Sequence, residues 1–135
     1  MERCMSLITI KHEDGLRFTV SIRDHKITVD APADQGGGGQ GPAPVEMLTS
    51  ALGACMAMHV AKYCQTAKLP HQGFTLDLAY EMATDPLRVG SVTVDITMPP
   101  GIPDKRKEAI KRAALHCAVR NTLKETTAVD VEVGE

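Results

Sequence analysis

The stretch from Val45 to about Ala67, VEMLTSALGACMAMHVAKYCQTA, constrains this chain more than any other part of it. Its pattern predicts a long helix, entered through Pro44, whose fixed φ suits a first helical turn. Through its middle the helix is apolar almost all the way round, and such a helix is surrounded by protein on most sides. The chain has 135 residues, enough for one domain of ordinary size. A domain of that size can hardly cover such a helix by itself, so the sequence predicts a second subunit that packs around it.

The flanking segments read mainly as strands. Ser6 to Lys11, Leu16 to Ile22 and Lys26 to Val29 alternate between apolar and polar, with turn chemistry at His12-Glu13-Asp14-Gly15 and Arg23-Asp24-His25. This predicts an antiparallel meander over residues 1–30. Residues 31–44 hold the run Gly36 to Gly39 inside APADQGGGGQGPAP. The run lacks the Lys-Ser/Thr ending of a phosphate loop and the strand-glycine-helix order of a dinucleotide fold, so a flexible connector is expected. Residues 45–135 form the body. Gly73 to Met82 and Val89 to Met98 alternate again, Pro103 opens a second helix running to about Cys117, and Val129 to Val133 reads as a last strand. The order βββ-α-ββ-α-β is of the α+β class, in a single domain.

Composition narrows the functions. The formal net charge is −2 and aromatics make up 3% of the chain, with no Trp. Neither the charge excess of a nucleic-acid binder nor a base-stacking platform is present. The core must come from aliphatic residues and seven Met, whose thioethers adapt to irregular gaps. No apolar run approaches the roughly 20 residues that span a bilayer. The opening MERCMSLITIKHEDG has no signal-peptide pattern. The expectation is a soluble cytoplasmic protein with neither nucleic acid nor membrane as partner.

Four cysteines, at 4, 55, 64 and 117, remain as candidate chemistry. No CxxC occurs, and in a reducing compartment stable structural disulfides are not expected. Cys55 lies midway along the apolar helix, and Cys117 ends the apolar stripe of the second. Both should point inward, and two helices packed face to face could bring their Cα atoms within the ~7 Å that a disulfide needs. Position alone favours a buried, inert thiol for each, since function is the rarer role. Cys64 is nine residues past Cys55, about half a turn round, and reads as structural. Cys4 sits near a terminus and reads as incidental. His59, four residues after Cys55, shares its face and is either a proton relay or an ordinary histidine at the core's edge. Cys55, His59 and Cys117 as a zinc site would lack a fourth ligand.

Two motifs then become specific. GPAPVEMLTSALGACMAMHVAKYC resembles the central helix of the OsmC/Ohr-like family (osmotically induced and organic hydroperoxide resistance proteins). HCAVRNTL, His116 to Leu123, resembles its second cysteine motif, usually C-P-x-x-x-T/A-L. The motifs come in order, roughly sixty residues apart, and the element order agrees over nearly the whole chain.

The resemblance implies an intertwined homodimer with active sites at the subunit interface and the long helix buried between subunits. It implies reduction of organic hydroperoxides in stress defence, through a Cys55 sulfenic acid that condenses with Cys117. An external dithiol, a lipoyl group in Ohr enzymes, then restores the pair, with no resident cofactor or metal. It also implies an Arg and a Glu near the reactive thiol. Arg17 is the first choice of cation and Arg23 the second. Glu46 stands nine residues before Cys55, where the Ohr glutamate stands ten before, at Val45. On one unbroken helix Glu46 would point away from Cys55, about 13 Å along the axis, so reach requires a break, for instance at Gly53. Its other role is a charge in the first helical turn. Ala118 replaces the usual Pro. These departures point to the broader OsmC-like branch, where the alternative is a non-catalytic stress protein binding a small apolar ligand at the dimer interface.

Overall fold

The structure is a computed structural model, which describes residues 7–135. Cys4 and the start of the first strand as expected from sequence lie outside the described residues. The chain forms two compact units, one ending at Leu48 and one beginning at Thr49.

In the N-terminal unit, β1 (Ile8–Asp14), β2 (Arg17–Ile22) and β3 (His25–Val29) form an antiparallel meander in that order. The register sets Ile10 opposite Val20 and Val20 opposite Ile27, with Phe18 opposite Val29. Side chains in register share a face, so the period-2 pattern collects these apolar residues on one side of the sheet. Pro44 and Met47 join Ile10, Phe18, Val20 and Val29 around an apolar hollow of about 320 Å³. Nevertheless Ile8 and Ile10 stay 52% and 63% exposed, so a single chain leaves this face open.

The connector is not the flexible linker that its glycines suggest. Asp30, only 2% exposed, accepts the N–H groups of Ala31 (2.7 Å), Gly38 (3.2 Å) and Gln40 (3.1 Å). The N–H of Gly39 donates to Ala31 (3.0 Å), and that of Asp30 to Pro42 (3.2 Å). A buried carboxylate needs such partners, and here they close the loop on itself. Burial would raise the Asp30 pKa, but the three amides, helped by the positive charge of Arg17, outweigh it and hold it below the usual carboxylate range. The glycines provide close approach. A Cβ on Gly37 would stand 2.0 Å from the Ala31 carbonyl oxygen, and one on Gly41 2.2 Å from that of Thr28.

Helix α1 (Pro44–Ala67) begins at the end of this unit. Glu46 reaches back to accept the N–H of Ala43 (2.8 Å), the acidic half of a capping box. The helix runs unbroken through Gly53. It ends in a Schellman motif: Lys68 takes φ 57, Leu69 N–H donates to Cys64 and Lys68 N–H to Gln65, and Pro70 prevents continuation.

In the C-terminal unit, β4 (Thr75–Ala83) and β5 (Arg88–Thr97) pair antiparallel, with Leu76 opposite Ile96 and Leu78 opposite Val94. The Leu52, Met56, Val60 and Cys64 side chains of α1, spaced by one helical turn, are all buried. They form the core with Ile110 and Ala114 of α2 (Asp104–Leu115) and with Cys117, and the inner residues of β4 and β5 pack against it. Each fully buried aliphatic side chain contributes roughly 1.5–3 kcal/mol. Gly53 lets α1 lie close on the sheet, since a Cβ there would meet Leu78 Cδ1 at 2.7 Å. Arg106 of α2 donates to the Tyr63 hydroxyl of α1 at 3.0 Å.

Two further expectations are corrected. The second helix does not reach Cys117. It stops at Leu115, His116 leaves helical geometry (φ −84, ψ 56), and α3 (Ala118–Lys124) starts afresh. Val129 to Val133 forms no ladder with its own chain, and Val129, Val131 and Val133 are 79%, 80% and 96% exposed. A strand exists only by pairing, and this chain alone offers the segment no partner. The α+β class and the βββ-α-ββ-α course before it are as expected.

Because the atoms facing Gly41 are backbone and cannot yield, Gly41→Ala is expected to lower the unfolding free energy by about 1–3 kcal/mol. Chemical denaturation measures this, and Gly134→Ala, with nothing near its Cα, is expected to change it by less than ~0.5 kcal/mol.

Candidate redox-active thiol site

Cys55 lies on α1 beside the buried row, one residue before Met56, so its sulfur is half-buried at the margin of the core. Cys117 sits in the kink between α2 and α3 and is completely buried. With φ −121 and ψ 126 it is the N-cap of α3, and its Sγ accepts the Arg120 N–H at 3.4 Å. Helix α1 and the kink thus bring the two sulfurs within hydrogen-bond reach of each other, both as free thiols.

The two thiols are electrostatically unequal. The Cys117 S–H donates to the Cys55 sulfur, which is the main cause that brings the Cys55 pKa below the ordinary thiol range. The amide of Val119 lowers it further, burial opposes this, and the amide of Ala118 adds the smallest lowering. For Cys117, burial raises the pKa first, and the bond it gives to Cys55 raises it again. The two shifts run in opposite directions, so Cys55 is the more readily ionised thiol of the pair and Cys117 the less. Cys64 is fully buried, and desolvation alone pushes its thiol up, which suits a structural role.

None of the other expected site residues is bonded to either sulfur among the described residues. His59 is half-buried one turn beyond Cys55 and makes no hydrogen bond to either sulfur among the described residues. No group of three or more His, Cys, Asp or Glu side chains is placed to hold a metal ion among those residues, so Cys55, His59 and Cys117 do not form a zinc site. Arg17, on β2, lies in the N-terminal unit, where its charge is felt by Asp30. Arg23 occupies the β2–β3 turn at φ 54, exposed. Glu46 is committed to the start of α1, and the break at Gly53 that would turn it toward Cys55 is absent.

Sequence reading missed the amides of Ala118 and Val119. A Pro at 118 would have marked a helix start there, whereas Ala118 lets the second helix read straight through.

A half-buried thiol shifted below the ordinary range, beside a fully buried one shifted above it, makes Cys55 and Cys117 an unequal pair of free thiols in an α+β chain. A family model for OsmC-like proteins matches residues 36–132, and the chain belongs to that family. No curated protein matches it closely enough to count as a relative. Among solved structures, it is similar to a protein of Psychrobacter arcticus described as an osmotic stress induced and detoxification response protein (TM-score 0.82, 26% identity, 90% of each chain covered). It is also similar to an OsmC-like protein of Mycoplasma pneumoniae (TM-score 0.76, 19% identity, 92% of this chain and 89% of that one). An organic hydroperoxide resistance protein OsmC of Legionella pneumophila shares the fold at TM-score 0.69 and 17% identity, over 90% of this chain and 92% of that one. No described helix is long and apolar enough to cross a membrane.

The inequality of the thiols gives an order of reaction. Iodoacetamide, read by peptide mass spectrometry at neutral pH, is expected to alkylate Cys55 first and leave Cys64 untouched while the protein is folded. Since the thiolate is the nucleophile, the Cys55 rate should climb with pH and level off below the pH at which an ordinary thiol does.

Proposed function

We propose that the protein is a cysteine-based peroxidase that reduces organic hydroperoxides in stress defence. The observation that carries this reading is the pairing of two free thiols from separate elements, a half-buried Cys55 and, beside it, a fully buried Cys117, with the Cys55 thiol shifted below its ordinary range. Membership of the OsmC-like family supports it, as does the likeness in fold to a protein named for organic hydroperoxide resistance.

The Cys55 thiolate attacks one peroxide oxygen. An S–O bond forms, the O–O bond breaks, and the alkoxide leaves and takes up a proton to become the alcohol. Cys55 is now a sulfenic acid. The Cys117 sulfur attacks it, an S–S bond forms, and the hydroxyl leaves with the Cys117 proton as water. An external dithiol, of which a lipoyl group is one candidate, reduces this disulfide by exchange and is itself oxidised. No resident cofactor takes part. We assign the activating cation to Arg17, with Glu46 as its acidic partner, and the setting to the cytoplasm.

The active unit in this proposal is an intertwined homodimer. Met58 of α1 is 66% exposed and Leu48 44%, on a helix apolar nearly all round. The apolar face of the meander and the unpaired valines at 129, 131 and 133 add further open apolar surface. Such a combination marks an interface more often than a solvated monomer. Light scattering is expected to give twice the chain mass of 14.5 kDa, and a monomer at micromolar concentration would remove this part of the proposal.

The chemistry is tested with cumene hydroperoxide and a dithiol. Cys55→Ser is expected to abolish turnover. Cys117→Ser should consume about one equivalent of peroxide per site and then stall as a sulfenic acid trappable with dimedone. Sustained turnover by Cys55→Ser would overturn the proposal.

A further inference from the structure

Helix α2 carries a basic cluster that the thiol chemistry does not use: Lys105, Arg106, Lys107, Lys111 and Arg112. Arg106 is committed to the Tyr63 hydroxyl (3.0 Å), and Lys107 to Asp104 one turn back (3.0 Å). Lys111 makes no ion pair or hydrogen bond among the described residues. Lys107 and Lys111 are four residues apart and so stand on one side of the helix.

Both lysines line a hollow of about 650 Å³ between α2, the end of β5 and the loop that joins them. Its apolar wall is Val94, Ile96, Met98, Ile102 and Ile110. Ile110 is buried, but the other four stay half-buried, and no aromatic side chain fills the space. No acidic side chain lines it, so every charge on the wall is positive. The loop is stiff: Pro99 and Pro100 fix two φ angles, and Gly101 takes φ +105, which a side chain would strain. A preformed hollow of this size is of the kind that holds small molecules, and little freedom is lost when one enters. It is also separate from the thiols. The Arg106–Tyr63 bond sets the start of α2 beside the far end of α1, eight residues past Cys55 and ~12 Å along the axis.

We propose that this hollow binds a medium-chain fatty acid, its alkyl chain on the apolar wall and its carboxylate at Lys111. A wall of aliphatic side chains with cations at one edge is complementary to a tail with a negative head. Asp104 already balances Lys107, which leaves one uncompensated charge and favours a monoanion over a phosphate. An exposed ion pair adds little affinity, so the tail supplies most of it and Lys111 selects the sign of the head. The site goes beyond the peroxidase reading and does not rest on it, since no bond is made or broken there.

The test is an amide chemical-shift titration of the isotope-labelled full chain with sodium decanoate below its micelle concentration. Saturable shifts are expected within residues 94–102 and 107–111. Affinity should rise about fourfold for each methylene added between octanoate and decanoate. Decyltrimethylammonium, with the same tail and a cationic head, should bind roughly threefold more weakly or worse. Lys111→Glu lies on the exposed side of α2, and amide shifts elsewhere verify its fold. It should abolish the preference for the anion. Cys55→Ser should bind decanoate as tightly as the unsubstituted chain, whether or not it turns over hydroperoxide. The inference is overturned by any of the following: no saturable shift, shifts centred on Cys55, a flat chain-length series, a head-group preference that survives Lys111→Glu, or binding to anionic phospholipid vesicles alone.

Discussion

The site depends on one packing arrangement: the row Leu52, Met56, Val60 and Cys64 on α1 pressed against β4, β5 and α2. The row fixes the rotation of the helix. With that rotation set, Cys55 falls at the edge of the core, where it is sheltered yet half-open. Gly53 sets the depth, because any side chain there would push α1 away from Leu78. Ile110 and Ala114 place the end of α2, and with it the kink that delivers Cys117. Two cysteines far apart in sequence thus meet because apolar burial leaves few other arrangements.

The elements that repeat were legible in the sequence. Period-2 alternation marked the meander and the β4–β5 hairpin, and Pro44 and Pro70 bracketed α1. Cys55 and Cys117 could be singled out as a pair because their flanking motifs are specific. What was not legible depends on single conformations. The break at His116 has no proline or glycine to announce it, so the second helix read straight on to Cys117. The Gly36–Gly39 run read as a linker because composition counts glycines and does not show that Asp30, at the end of β3, holds the loop with three amide bonds. Period-2 alternation at Val129 to Val133 describes a strand but cannot say which chain pairs with it.

The two units use opposite means to the same end. The C-terminal unit is held mainly by burial of aliphatic and sulfur-bearing side chains. The N-terminal unit has few buried side chains and relies on strand pairing and on one carboxylate that satisfies its connector. No buried side-chain nitrogen or oxygen among the described residues lacks a hydrogen-bond partner. That complete pairing matters most around Asp30, where a carboxylate without its amides would be costly to shield from water.

Cys117 has two tasks that compete. As a thiol its sulfur caps α3 by accepting from Arg120, and as half of a disulfide it would offer that N–H a weaker acceptor. Crosslinking to Cys55 would thus loosen the first turn of α3, with the exposed tail beyond it. The oxidation state of two sulfur atoms would then be legible to other molecules as the firmness of a C-terminal arm.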